Sequence, residues 1–198
     1  MEQAIPHVFI IESNSMADEK RGLSEGVILR EVLRMMRKEV EYRYIRTTKE
    51  LAKMAEQFAD SNFRYLHMAC HGNKGAFRLT FDRVPYQDFA DIIGPVLNDR
   101  RLFLSACDIA HPQLARMIYE SYRPYSITGP TCDIHFSDAA VVWSSLYRLL
   151  FKTDARAISG ERLRSHLNNL CRLHDVEFSH FGRTPGGHFR SYHFEGEE

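Results

Sequence analysis

Apolar positions along this chain switch repeatedly between two spacings, and the switches mark out its elements. His7–Ile11 is a short apolar run and predicts a strand buried on both faces. A polar loop, Glu12–Glu19, follows it. Ile28, Val32, Met36 and Val40 then recur at every fourth residue with Leu29 and Leu33 beside them, the apolar stripe of a helix from about Ser24 to Glu39. Val40–Ile45 alternates apolar with charged residues and predicts a second strand, nearer an edge. Thr47 and Glu50 form a capping-box pattern ahead of a helix that places Leu51, Met54, Ala55 and Phe58 on one side. Tyr65–Cys70 reads as a third strand, ended by the loop His71–Gly75, whose two glycines permit unusual backbone angles. Phe77–Phe81 adds a short hairpin arm.

The same alternation continues through the second half. Tyr86–Leu97 predicts a helix, Arg101–Ala106 a fourth strand, and Pro112–Glu120 a helix with proline in its first turn. Tyr125–Gly129 is a fifth strand, Ser137–Phe151 an aromatic-rich helix, and Ser159 caps a last helix running to about Leu173. Phe189–Phe194 reads as a final strand or an ordered tail. Five strand–helix alternations predict an α/β protein with a mostly parallel central sheet and helices on both faces. No repeat or linker divides the sequence, so residues 1–198 read as one domain, with 152–198 supplying a C-terminal helix and tail.

Composition narrows the function. The 26 basic residues balance 26 acidic ones across 198 positions, which argues against a broad nucleic-acid footprint near neutral pH. The N-terminus lacks the basic region and apolar core of a signal peptide, and no apolar run approaches the ~20 residues that cross a bilayer. A cytoplasmic protein without membrane contact is expected. Its four scattered cysteines, Cys70, Cys107, Cys132 and Cys171, contain no CxxC pair and read as free thiols.

In parallel sheets, reactive groups gather beyond the carboxyl ends of the strands. Those positions here are Glu12–Ser15, His71–Gly72, Cys107–Asp108 and Thr131–Asp133. One imidazole and one thiol stand at consecutive central strand ends, the pairing that nucleophilic catalysis by cysteine requires. Taken singly, a cysteine at a strand end is ordinarily a small hydrophobe and a histidine there a satisfied polar group.

Tyr65–Gly72 (YLHMACHG) followed by Leu102–Ala110 (LFLSACDIA) resembles the paired His-Gly and Ser-Ala-Cys motifs of caspase-like (clan CD) cysteine peptidases, nearest to the bacterial CHAT-type domains related to separase. The similarity runs from about residue 5 to 151. It implies a three-layer caspase-like sandwich and a cysteine endopeptidase that cuts a protein substrate without a cofactor. His71 would be the general base and acid, Cys107 the nucleophile, and the amides of Gly72 and Cys107 the oxyanion hole. The family commonly works as a dyad, and no third residue is named here. Ser105–Ile109 (SACDI) departs from the Gln-Ala-Cys-x-Gly of true caspases, so cleavage after aspartate is not implied. The family's pocket positions carry Glu12, Asp108 and Asp133, and three carboxylates there predict a basic residue before the cut. Small bacterial relatives act as regulated effectors of antiphage defence or cell death, and a separate activating chain is expected.

Other readings use the same residues differently. His67, Cys70, His71, Cys107 and His111 offer soft metal ligands, but strand alternation and the lack of spaced pairs speak against a zinc site. Cys70 is the rival nucleophile. The C-terminal third is rich in histidine and arginine, which reads as a solvated helix face and tail or else as a nucleotide-sensing surface. A catalytically silent caspase-like binding or signal-sensing module is the alternative function.

Overall fold

The computed structural model describes residues 5–153 and 158–196; Met1–Ala4, the start of the segment weighed as a signal peptide, lie outside them. Strands β1 (Ile5–Glu12), β2 (Val40–Tyr44), β3 (Phe63–Ala69), β7 (Arg101–Ser105) and β8 (Ser126–Pro130) pair in parallel. These are the five strands expected from the alternation. Two more, β9 (Phe178–Arg183) and β10 (Phe189–Phe194), extend the sheet antiparallel beyond β8, giving the order β10-β9-β8-β7-β3-β1-β2. Phe189–Phe194, read as a final strand or an ordered tail, is strand β10, and β9 before it was not expected.

Three layers follow from the alternation of side chains along each strand. Phe9, Ile11, Leu66, Met68, Leu102 and Leu104 face helices α3 (Thr48–Asp60), α4 (Tyr86–Ile93) and α5 (Pro112–Ser121). Val8, Ile10, Tyr65 and Phe103 face α2 (Glu25–Met35), α6 (Phe136–Thr153) and α7 (Gly160–His174). Strands with helices on both faces must be apolar on both, which is why His7–Ile11 shows no polar alternation. No helix among the described residues is long and apolar enough to cross a membrane.

Local chemistry sets the ends of the helices. The Thr47–Glu50 capping box forms as expected at the start of α3. Ser159 stands at the N-cap of α7 but makes no side-chain cap bond there. Helix α2 stops at Met35, short of Glu39, because Arg37 adopts a left-handed φ of 57° and Lys38 N–H turns back to Leu33 O. The expected Glu12–Glu19 loop instead holds a short helix, α1 (Met16–Arg21), capped by Ser15 and closed by Gly22 at φ 67°. His71–Pro85 is a three-stranded antiparallel sheet, β4 (His71–Asn73), β5 (Ala76–Arg78) and β6 (Arg83–Pro85), where a loop and one hairpin arm were expected.

One buried histidine makes the fold acid-sensitive. His180 on β9 pairs through Nδ1 with Thr128 Oγ1 at 2.7 Å, and burial, followed by the charges of Arg101 and Arg164, drives its pKa down to about 3. The unfolded chain binds that proton near pH 6.5 and the folded chain does not, so stability is whole above 6.5 and drains as pH falls toward 3. Urea unfolding should lose roughly 1.4 kcal/mol per pH unit below 6.5 from this group. His180→Gln should flatten that slope relative to wild type; parallel slopes would reject the assignment.

Candidate active site

The two central strands deliver the site. β3 ends at Ala69, Cys70 N–H donates to Ser105 O at 3.0 Å, and His71 then opens β4. Cys107 follows β7 on an elbow, where Asp108 takes a left-handed φ of 47°. The elbow is pinned to the end of β8: Asp108 N–H donates to Cys132 O at 2.9 Å, and the Ile109 and Ala110 amides donate to Pro130 O. Gly72 lies against it so closely that a Cβ there would stand 2.9 Å from Cys107 O and 3.0 Å from Ala106 Cβ. A side chain at position 72 would therefore push the two strand ends apart.

His71 and Cys107 line the same cavity of about 620 Å³, together with Asp18, Glu25, Cys70 and Asp133. The His71 imidazole bonds Asp18 Oδ2 through Nε2 at 2.7 Å, and its ring meets Phe136 edge-on at 5.8 Å. The Cys107 thiol sits between the backbone groups of Ile134, accepting from its N–H and donating to its carbonyl, each at 3.5 Å. The β8–α6 loop thus lies directly on the thiol.

The expected pocket carboxylates divide. Asp133 lines the cavity and is exposed. Glu12 does not reach it: it is fully buried and accepts from Ser24 Oγ at 2.5 Å, Gly26 N at 2.9 Å and Tyr42 Oη at 2.7 Å. A carboxylate at a helix N-terminus satisfies otherwise orphaned donors, so Glu12 anchors α2 instead of facing substrate. Asp108 is likewise outside the cavity lining, turned to His111 Nε2 at 2.7 Å and Lys74 Nζ at 3.7 Å.

Two cavity carboxylates escaped the sequence reading. Asp18 sits on α1, in the stretch expected to be loop, yet Ser15-x-x-Asp18 is itself a capping signature that could have revealed it. Glu25, at the first position of α2, is buried, accepts from Ser105 Oγ at 2.7 Å and meets His67 Nε2 at 3.3 Å. His67 in turn reaches Tyr147 Oη at 3.3 Å through Nδ1, so this histidine belongs to a network beneath the cavity. Burial first, then the negative charge of Glu25, pushes the Cys70 thiol well above its ordinary value and leaves it a poor nucleophile. Among the described residues no group of three or more His, Cys, Asp or Glu could hold a metal ion.

The sequence matches no protein-family model and no curated protein. Solved structures do match. A secreted C11 cysteine protease from Bacteroides thetaiotaomicron, solved with an irreversible peptide inhibitor, superposes with a TM-score of 0.58 at 9% identity over 89% of this chain. The chain spans 66% of that protease, just under two thirds of its length. Pro-sf-caspase-1 superposes with a TM-score of 0.54 at 15% identity, covering 88% of this chain and 81% of the other. Identities this low speak to architecture alone. With the strand order and the two helical layers, they establish that this chain has a caspase-like α/β fold.

Proposed function

We propose that this chain is a cysteine endopeptidase with Cys107 as nucleophile and His71 as general base and acid. The observation that supports the reading is that both residues line one cavity, each following the end of one of two adjacent parallel strands. His71 takes the proton of the Cys107 thiol, and the thiolate attacks the peptide carbonyl carbon. A C–S bond forms, and the carbonyl π electrons move to oxygen. The amides of Gly72 and Cys107 stabilise that oxyanion. Collapse breaks the C–N bond, the imidazolium protonates the departing amine, and water, activated by His71, hydrolyses the thioester.

The substrate residue before the cut is basic in this reading. Support comes from Asp133 at the cavity rim and Glu25 at its floor, now without Glu12 and Asp108. A buried carboxylate favours a cation that replaces lost water with hydrogen bonds. The Ile134 backbone on the Cys107 thiol fits an enzyme held back until a protein partner or signal moves that loop. The motif resemblance to CHAT-type domains points to a regulated bacterial effector of antiphage defence or cell death. Four free cysteines suit a reducing, cytoplasmic setting.

A panel of fluorogenic peptides tests the specificity. Peptides with Arg or Lys before the cut should turn over at least about 10-fold faster than Leu or Asp peptides, the scale of one desolvated ion pair. Faster cleavage after apolar residues would reject the basic pocket. A chain inert on every peptide, with or without cell extract, would favour the silent binding module.

A further inference from the structure

We propose that Asp18 is the positioning residue for His71, fixing its tautomer so that Nδ1, and not Nε2, exchanges the proton with Cys107. The inference rests on the peptidase reading and completes the same site. A carboxylate only accepts hydrogen bonds, so the ring nitrogen facing Asp18 Oδ2 at 2.7 Å carries the hydrogen. In the neutral imidazole the other nitrogen, Nδ1, is then the one lone pair available to a thiol proton.

The carboxylate is held for this task. Ser15 donates its hydroxyl to Asp18 Oδ2 and accepts from Asp18 N at 3.2 Å, which fixes the side chain at the start of α1. Helix α1 is braced from its other side, where Glu19 accepts from Tyr44 Oη at 2.6 Å and pairs with Arg46 at 2.9 Å. The loop before it is tied by Thr80 Oγ1 to Asn14 O at 2.7 Å, and Asn14 Nδ2 donates to Leu23 O at 2.8 Å. Burial alone would raise the Asp18 carboxyl, but the hydrogen bonds from Ser15 and His71 and the charge of the ring hold it below the ordinary range. It is a carboxylate at any working pH. The pair is partly open to solvent, with 38% of the His71 side chain exposed, so it adds little to stability. Its tautomer effect, by contrast, acts on every turnover.

The other ionisable groups lining the same cavity are Arg21, Glu25, Cys70, Cys107, Asp133 and His135. None of them is hydrogen-bonded to the His71 ring among the described residues.

The test compares wild type with Asp18→Asn and Asp18→Glu on a cleaved basic peptide, with urea unfolding alongside. Asp18→Asn keeps the shape but offers an amide that stabilises the wrong tautomer. Its kcat should fall about 10²- to 10⁴-fold with KM nearly unchanged, and the acidic limb of its pH profile should move to lower pH. Its urea midpoint should stay near wild type, and Asp18→Glu should recover part of the rate. Nitrogen–carbon NMR of the His71 ring, assigned against His71→Gln, should show the Nε2–H form in wild type. Asp18→Asn should lose it. An Nδ1–H ring in wild type, or an Asp18→Asn variant with wild-type kcat and pH profile, overturns the inference and leaves the peptidase reading intact. If wild type cleaves nothing yet shows the Asp18-dependent Nε2–H form, the peptidase reading fails and the positioning stands.

Discussion

Replacing Cys107 with alanine is expected to bring peptide hydrolysis down to background, a loss of about 10⁴- to 10⁶-fold in kcat. Without the thiol no covalent intermediate forms, and bound substrate meets only water. His71→Ala should fall nearly as far, because a neutral thiol is a weak nucleophile and the departing amine would leave unprotonated. In the proposed mechanism the two side chains act as one unit, so the double variant should be no slower than either single one. Cys70→Ala is the internal control. Its thiol lines the same cavity, yet burial and Glu25 hold it protonated, so its loss should change kcat by no more than about 3-fold. Steady-state rates for the four variants decide the matter. A Cys107→Ala protein that keeps its rate, or a Cys70→Ala protein that loses it, would move the nucleophile to the other thiol.

Trp143→Ala should be the most destabilising single change in the molecule. The indole is fully buried on α6 and meets His67 at 5.0 Å, Phe178 at 5.4 Å, Phe103 at 5.7 Å and Tyr147 at 6.4 Å. It joins α6 to three strands of the sheet. Truncation removes its transfer energy and leaves a void that close-packed neighbours fill only in part, costing about 3–5 kcal/mol. Against a typical total of about 5–15 kcal/mol, that brings the fold near its threshold. His67 would also lose its aromatic wall, loosening the His67–Glu25–Ser105 chain beneath the cavity. Urea unfolding at pH 7.5 measures the loss, and Trp143→Phe should recover more than half of it. A shift below about 1 kcal/mol for Trp143→Ala would mean that α6 is not anchored where its burial indicates.

The parallel half of the sheet was legible because its strands are apolar on both faces. His7–Ile11, Tyr65–Cys70 and Arg101–Ala106 carry that signal without ambiguity. Strand β9 was hidden: Phe178–Arg183 mixes Ser, His and Gly among its phenylalanines, and its buried His180 reads as polar unless Thr128 is known to face it. His71 and Cys107 were visible by strand-end position, which needs only element order. Glu12 and Asp108 occupied similar positions but turned elsewhere, because the α2 N-terminus and His111 offered them donors that sequence spacing does not show. Asp18 and Glu25 were missed for the complementary reason. They reach the cavity from helix starts, and their partners lie 53 and 80 positions away in the chain.

The most direct measurement is mapping of a thiol-reactive peptide probe by mass spectrometry on wild type, Cys107→Ala and His71→Ala. Labelling is expected to concentrate on Cys107 in wild type, to vanish in Cys107→Ala and to be strongly slowed in His71→Ala. Equal labelling of all four cysteines in every variant would contradict this, leaving a caspase-like fold without a working nucleophile.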